Sequence, residues 1–366
     1  MDPIRIAVVG AGGVANTHVL HWLRQPGVEI VAVADASPER ARALAERHGL
    51  PASVVCASLP EALSRPADAV DLCTPPWLHE PQALEALAAG RHVILEKPLA
   101  GSLAGFERLL AAEAAAGRRV VPVLQNRLGI GPRQLRAVQR AGLAGRFLHG
   151  TIETGWRRGR EYYDGTWHGR YATELGGCLA GLAIHQLDLV LGFLPPVVSA
   201  VAHAATMVHP IEVEDTGAGL LSLAGGGWLA VTASVHQHAQ YSRGMLVFAD
   251  CQVEFGPDPY GYAEAPWRFT SADPARHAAI QAAIAAETPE PTPEGCYQLW
   301  IAAARVWASA VRGPVAEDLV ARCPVDLASA RAGLEAMTAI YAAARTRGRI
   351  DLPMTAAQPH FHRMAP

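Results

Sequence analysis

The first 35 residues constrain the fold more than any other stretch of this chain. IRIAVVGAG is a β-rich apolar run ending in glycines, and VANTHVLHWLRQ follows with apolar residues at helical spacing, which predicts strand, tight turn, helix. Within the turn Gly10, Gly12 and Ala15 fit G-x-G-x-x-G/A. The first glycine makes the turn, the second lets a pyrophosphate approach the backbone, and the third small residue lets helix and strand pack closely. Gly13 and Val14 then open the helix, whose N-terminal amides and dipole favour an anion. A second strand, EIVAVAD, ends at Asp35, 20 residues beyond Ala15, where an acid holds a ribose 2′-hydroxyl. Together the glycine turn and the acid predict an NAD site. An acid repels a 2′-phosphate, yet Ser37 and Arg40 stand nearby, so NADP stays open.

The βα rhythm continues with a helix near 38–48, a strand around Ser53 to Cys56, a helix from about Leu59 to Leu63, and the strand AVDLCTP. The helix EPQALEALAAG leads to RHVILEKP, and FERLLAAEAAAG followed by RVVPVLQNR closes a domain near residue 125. Strands joined by helices imply a parallel, doubly wound sheet whose ligands bind beyond the carboxyl ends of its strands. Those exits carry Thr74, Pro75, Pro76, His79, Glu96, Lys97 and Gln125 to the expected cofactor edge. Lys97 is the only lysine in a chain with 31 lysines and arginines together. An amine can move a proton or aim a compact charge at one oxygen, whereas a guanidinium cannot lose its proton, so this position is a candidate for chemistry.

At 366 residues the chain predicts two domains, 1–125 and 126–366. A net charge of −3 leaves no basic surplus to neutralise a phosphate backbone, which argues against nucleic acid as a partner. The cysteines at 56, 73, 178, 251, 296 and 323 are far apart with no C-x-x-C pair, as expected of a reduced, cytoplasmic compartment. The N-terminal apolar run is short and lacks a basic flank, so no signal peptide is expected, and CLAGLAIHQLDLVLGFL is interrupted by His185, Gln186 and Asp188.

From about Gly145 the pattern becomes FLHGTIETGW, VVSAVAHAATMV, TGAGLLSLA, GWLAVTASVHQH, GMLVFAD and CQVEF, separated by glycine-rich turns. This predicts an α+β domain built on a large, mostly antiparallel sheet, with a helix from about Cys178 to Leu194 laid against it. Apolar and aromatic residues on one sheet face suggest burial against another copy of the chain, as a homodimer or homotetramer. Between the first strand and the helix lies WRRGREYYDGTWHGRY, with Trp156, Arg157, Arg158, Tyr162, Tyr163, Trp167 and His168. Aromatic faces and forked donors suit a sugar ring and its hydroxyls, and equally suit a contact between subunits. His236 and His238 share a strand face and His360 and His362 lie in the tail, but neither pair has further ligands at defined spacing, so no metal is expected. The tail itself is expected to be disordered or packed at an interface.

The GAGGVA turn, the acid-ended second strand, CTPPWLHEPQALEALAAGRHVILEKPLA with its Glu96-Lys97-Pro98, and GGCLAGLAIHQLDL with His185 and Asp188 resemble the glucose-fructose oxidoreductase / inositol dehydrogenase (Gfo/Idh/MocA) family over essentially the whole chain. The resemblance implies an NAD(P)-dependent dehydrogenase acting on a hydroxyl, or in reverse a ketone, of a sugar, sugar derivative or cyclitol. It implies Lys97 as the catalytic lysine and His185 as the catalytic histidine, both touching substrate. Histidine ionises near neutral pH and suits a base for the hydroxyl proton, while a lysine ammonium stabilises a developing alkoxide. In that family an aspartate one helical turn before the histidine works with them. Here that position is Gly181, which shares a helical face with 185. Tyr163 is the candidate for the acid/base function Gly181 lacks, and Trp156, Arg157 and Trp167 are candidate substrate contacts. Asp188 has three open roles: orienting His185, binding substrate, or plain structure. The loss at Gly181 also keeps open a catalytically silent NAD(P)-binding sensor on the same fold.

Overall fold

A computed structural model describes residues 2–287, 298–312 and 326–364. The chain divides into two compact units. Of the described residues, the first comprises 2–100, 105–125, 298–312 and 326–330, and the second 101–104, 126–287 and 331–364.

In the first unit β1 (Ile4–Val9), α1 (Gly13–Trp22), β2 (Val28–Ala34), α2 (Pro38–Arg47), β3 (Val55–Cys56), α3 (Leu59–Ser64), β4 (Ala69–Leu72), α4 (His79–Ala88), β5 (His92–Leu95), α5 (Leu103–Ala116) and β6 (Val120–Pro122) follow in turn. All six strands are parallel, in the order β3-β2-β1-β4-β5-β6. Helices cover both faces, so β4 is buried at every position and reads as a continuous apolar run broken only by Asp71. Local chemistry starts the helices: Ser37 caps α2 by accepting the Arg40 amide, with Pro38 in the first turn, and Ser58 caps α3 in the same way. The strand order reverses direction between β1 and β4, the crevice where this architecture binds ligands.

The sequence reading places everything after 125 in the second domain, whereas the described residues 298–312 and 326–330 belong with the first unit. The reason is α10 (Gln298–Arg312), whose Trp307 stacks on Trp22 and His18 of α1 at 5.5 and 5.0 Å.

The second unit begins with α6 (Ile130–Arg140), β7 (Phe147–Arg157) and the short α7 (Tyr171–Glu174). A π-turn, Leu179–Ala183, leads into α8 (Ile184–Leu191). The strands β8 (Val197–Ala205), β9 (Thr216–Leu223), β10 (Trp228–Ser234), β11 (His236–Phe248), β12 (Gln252–Phe255) and β13 (Arg268–Thr270) come next, then α9 (Pro274–Ala285). The unit closes with α11 (Arg331–Thr346) and β14 (Ile350–Asp351). Eight strands form one sheet in the order β13-β12-β11-β7-β10-β9-β8-β14, antiparallel except for β7 beside β10. The π-turn, α8 and α11 pack on one of its faces. GWLAVTASVHQH supplies β10 and, with its final HQH, the start of the 13-residue β11 that continues through GMLVF and whose register against β7 shifts between His236 and Tyr241.

The stretch Tyr171–Leu191 is apolar and long enough to cross a membrane by length and composition alone. It is interrupted at Leu175, where φ is 65°, and most of it is buried as core of the second unit. The tail is a correction to the sequence expectation, because residues 354–364 fold back on their own unit. Met354 donates its amide to Glu335, Arg345 reaches the Met364 carbonyl and the His360 ring, and Phe361 and Met364 are buried.

Candidate functional site

Gly10 ends β1 with φ at 95°, and a Cβ there would collide with the Cys73 carbonyl at the end of β4, so only glycine permits the turn. A Cβ on Gly12 or Gly13 would meet nothing within 4 Å. Their open face and the uncapped N-terminus of α1 form a cradle for a diphosphate, beside Val14 and Ala15. Asp35 follows β2 and accepts the amides of Ala11 and Ser37, each at 2.8 Å, and the Arg40 guanidinium at 3.1 and 2.8 Å. Burial works against its charge, but the two amides and Arg40 outweigh it and hold the carboxyl below its ordinary range. A carboxylate with a spare lone pair beside the glycine loop is the acceptor a ribose hydroxyl requires. Gln125, beyond β6, has a buried side-chain oxygen with no partner among the described residues, so an amide or hydroxyl of a bound dinucleotide has an acceptor to meet there. The residues present therefore fit the cofactor.

Thr74, Pro75 and Pro76 form the exit of β4, with the Thr74 hydroxyl donating to Gln82 at 2.7 Å. His79 is buried and its ring nitrogens face the Pro98 and Thr74 carbonyls, each at 2.7 Å. Its part is to tie the β4 and β5 exits together, which shapes the cofactor edge from behind. Glu96 is buried at the end of β5, and one carboxylate oxygen accepts the Lys97 amide at 3.0 Å. The other faces His18 Nε2 at 3.2 Å, while His18 Nδ1 bonds Asp71 at 2.9 Å and the Trp22 indole donates to Asp71 at 2.7 Å. Burial opposes a charged His18 ring, but Asp71 and Cys73 hold it well above the ordinary histidine range. A network that sequence reading missed thus clamps Glu96, and with it the backbone of Lys97. His18, Asp71 and Cys73 are also the one group of metal-type side chains clustered closely enough to share an ion among the described residues. They already bond one another, and the Cys73 thiol is pushed up to about 12 by burial and Asp71.

In the second unit His185 lies on the first turn of α8, half-buried. From 178 to 190 only Gly181 and His185 are not fully buried, so these two, one turn apart, mark the face of the helical stretch that the core leaves uncovered. The π-turn carries Gly181 at this face, and such turns recur at functional sites. The stretch is anchored at its start by Glu214, whose buried carboxylate accepts the amides of Gly177 and Leu179 at 3.0 and 2.9 Å and the Tyr341 hydroxyl at 2.7 Å.

Asp188 has a partner of its own. Its carboxylate is 4% exposed and bound through both oxygens to Arg127, at 2.7 and 2.6 Å, an ion pair that favours the structural one of its three open roles. Trp156 is also packed, with its indole donating to Ser242 at 3.0 Å and its ring against Tyr260 and the Arg158 guanidinium. Arg157 is exposed at the end of β7. Tyr163 and Trp167 are half-buried, and Trp167 and Tyr162 stack on the His168 ring at 3.7 and 3.9 Å. Burial and then Glu174 push the Tyr163 phenol far up, which favours its protonated, hydrogen-bond-donating form. His236 lines a cavity of about 270 Å³ on the sheet with Thr216, Thr232 and Tyr241, and no carboxylate or thiol lines it.

Residues 4–123 match the model for the oxidoreductase family with an NAD-binding Rossmann fold, and 133–273 match the Gfo/Idh/MocA C-terminal domain. The chain is 32% identical over 207 residues to D-glucoside 3-dehydrogenase of Escherichia coli (strain K12), covering 56% of this chain and 58% of that one. It is 37% identical over 125 residues to the inositol 2-dehydrogenase of Pseudarthrobacter chlorophenolicus, covering 33% and 36%. These alignments span less than two thirds of either relative. The WlbA dehydrogenase from Bordetella pertussis, solved with NADH and UDP-GlcNAcA, superposes with a TM-score of 0.80 at 28% identity over 97% of this chain and 99% of that one. With both domain models matched in order and a solved relative aligned almost end to end, the chain belongs to the Gfo/Idh/MocA family of NAD-binding oxidoreductases.

Proposed function

We propose that the protein is an NAD-dependent dehydrogenase that oxidises a secondary hydroxyl of a sugar, sugar derivative or cyclitol, or reduces the matching ketone. The observation that carries this reading is Lys97 at the carboxyl end of β5, one strand beyond the β1/β4 crevice and on the same sheet edge as the glycine loop and Asp35. A nicotinamide cofactor held by the glycine loop, Asp35 and Gln125 would supply the hydride acceptor for the carbinol carbon. His185 takes the hydroxyl proton. Lys97 donates a hydrogen bond to the same oxygen and stabilises its developing negative charge. Tyr163 and Trp167 offer a hydroxyl donor and a ring face to the substrate. The relatives named for glucosides and inositols, and the one holding UDP-GlcNAcA, set the substrate classes to try.

The same proposal takes the working form to be a homo-oligomer joined through the open face of the second unit's sheet, where Val201, Leu220 and Trp228 are exposed. A cytoplasmic location agrees with the four described cysteines, which are free and buried.

Reduced-nicotinamide absorbance, followed with NAD and NADP against glucosides, inositols, UDP-GlcNAcA and their keto forms, tests the reading. Turnover is expected on at least one member. Lys97→Arg is expected to keep NAD affinity within a few-fold while turnover falls about a hundredfold or more, because charge survives but reach and proton handling do not. NAD binding without turnover across the panel favours the sensor reading that Gly181 first raised.

A further inference from the structure

We propose that Glu174, delivered by α7, is the carboxylate that faces substrate on the His185 side of this site, in the space that Gly181 leaves open. The inference rests on the dehydrogenase reading above. A Cβ built on Gly181 would have one neighbour within 4 Å, Oε1 of Glu174, at 3.8 Å. The carboxylate therefore stands over the face that 181 shares with 185. A side chain at 181 would cover it, and an acidic one would place two like charges a few ångströms apart, so a glycine here and a glutamate at 174 are complementary.

The rest of the cluster holds Glu174 in one pose. Its Oε2 accepts the Gly169 amide at 2.6 Å and its Oε1 pairs with His168 Nδ1 at 3.1 Å. The His168 ring is itself fixed between Tyr162 and Trp167. An ionised carboxylate offers about four lone-pair sites, so acceptor capacity is left on Oε1 after these bonds. The phenols of Tyr162 and Tyr163 are pushed up by burial and next by Glu174. Glu174 accepts a hydrogen bond from a substrate hydroxyl presented to this face, while the proton released in oxidation goes to His185.

The test moves the carboxylate from one side chain to the other. Glu174→Gln keeps the shape and an oxygen for Gly169, and is expected to lower kcat about thirtyfold with NAD affinity unchanged. Adding Gly181→Asp to that variant is expected to recover about tenfold, because the charge returns to the same face, whereas Gly181→Asp alone lowers kcat through like-charge repulsion. A glutamate that only braces the 168–174 loop is not rescued by an aspartate at 181. Gly181→Leu, which leaves every Glu174 bond intact and covers the carboxylate, supplies a second route should Glu174→Gln fail to fold, and is expected to lower kcat at an unchanged melting temperature. Wild-type kcat in Glu174→Gln or in Gly181→Leu, or a double variant no faster than Glu174→Gln, overturns the inference and leaves the dehydrogenase reading standing. No wild-type turnover on any substrate of the panel overturns the reading, and the inference with it.

Discussion

At the scale of one side chain, Asp35 is the group we propose to set the cofactor preference. Its carboxylate is shared among two amides of the nucleotide loop region and the Arg40 guanidinium, and Arg40 is otherwise 63% exposed. A 2′-phosphate brought to this spot meets the acid first, and the Arg40 cation is already paired with that acid. Asp35→Ser removes the repulsion and frees Arg40 together. We expect NAD affinity to fall about tenfold and the NAD-to-NADP preference to move about a hundredfold toward NADP, read from Kd values for both cofactors. An unchanged ratio would mean that Asp35 does not read the ribose. Residues of this kind were legible because strand, turn and acid follow one another at fixed spacing. Asp188 was not, since its partner Arg127 lies 61 positions earlier and no local pattern reveals it. Nor was Glu174, which comes over Gly181 only because Leu175 turns the chain with φ at 65°.

Among elements, the π-turn and α8 depend most on a single buried group. Glu214 is 2% exposed and its carboxyl is pushed up to about 7 by burial, although the Tyr341 hydroxyl and the Leu179 and Gly177 amides favour its charged form. The unfolded carboxyl ionises near 4.5, so the folded protein holds an extra proton between there and about 7. The stability this provides is complete below the unfolded value and is lost as pH rises through the folded one, a change on the order of 3 kcal/mol. Glu214→Gln cannot ionise, so its urea unfolding free energy should drop less than that of the wild type between about pH 5 and pH 8.5. Parallel profiles for the two proteins would remove Glu214 as the titrating anchor. The apolar run around α8 and the six parallel strands could be read from sequence because packing follows the same period as the residues. Helix α10 shows the limit: Trp307 marks a buried face, but which unit it covers is decided by Trp22 and His18 nearly 300 residues away, and no periodicity carries that information.

For the molecule as a whole, the open question at its surface is what meets the uncovered face of the eight-stranded sheet. An antiparallel sheet with helices on one side can leave the other to water, and then its outward positions are polar. Here Val201 and Leu220 pair across β8 and β9, and Leu220 pairs with Ala230, two residues from Trp228 on the same face of β10. Val201 is 43% exposed, and Leu220 and Trp228 are each 41% exposed, with the indole stacked on His149 at 5.0 Å. Three adjacent strands thus present aligned apolar side chains, a patch that in a lone protomer would favour association. Composition alone pointed to such a face, and the strand register now names its residues. Because each of these side chains is already partly solvated, replacing Leu220 and Trp228 with glutamate costs the protomer little but sets carboxylates against an apolar partner. Light scattering after size exclusion is expected to show an oligomer for the wild type and a single protomer for the Leu220→Glu, Trp228→Glu double variant, with melting temperature within a few degrees once concentration is matched. A wild type that elutes as a protomer at micromolar concentration would leave the patch to a different partner, and a double variant that stays assembled would place the contact elsewhere on the chain.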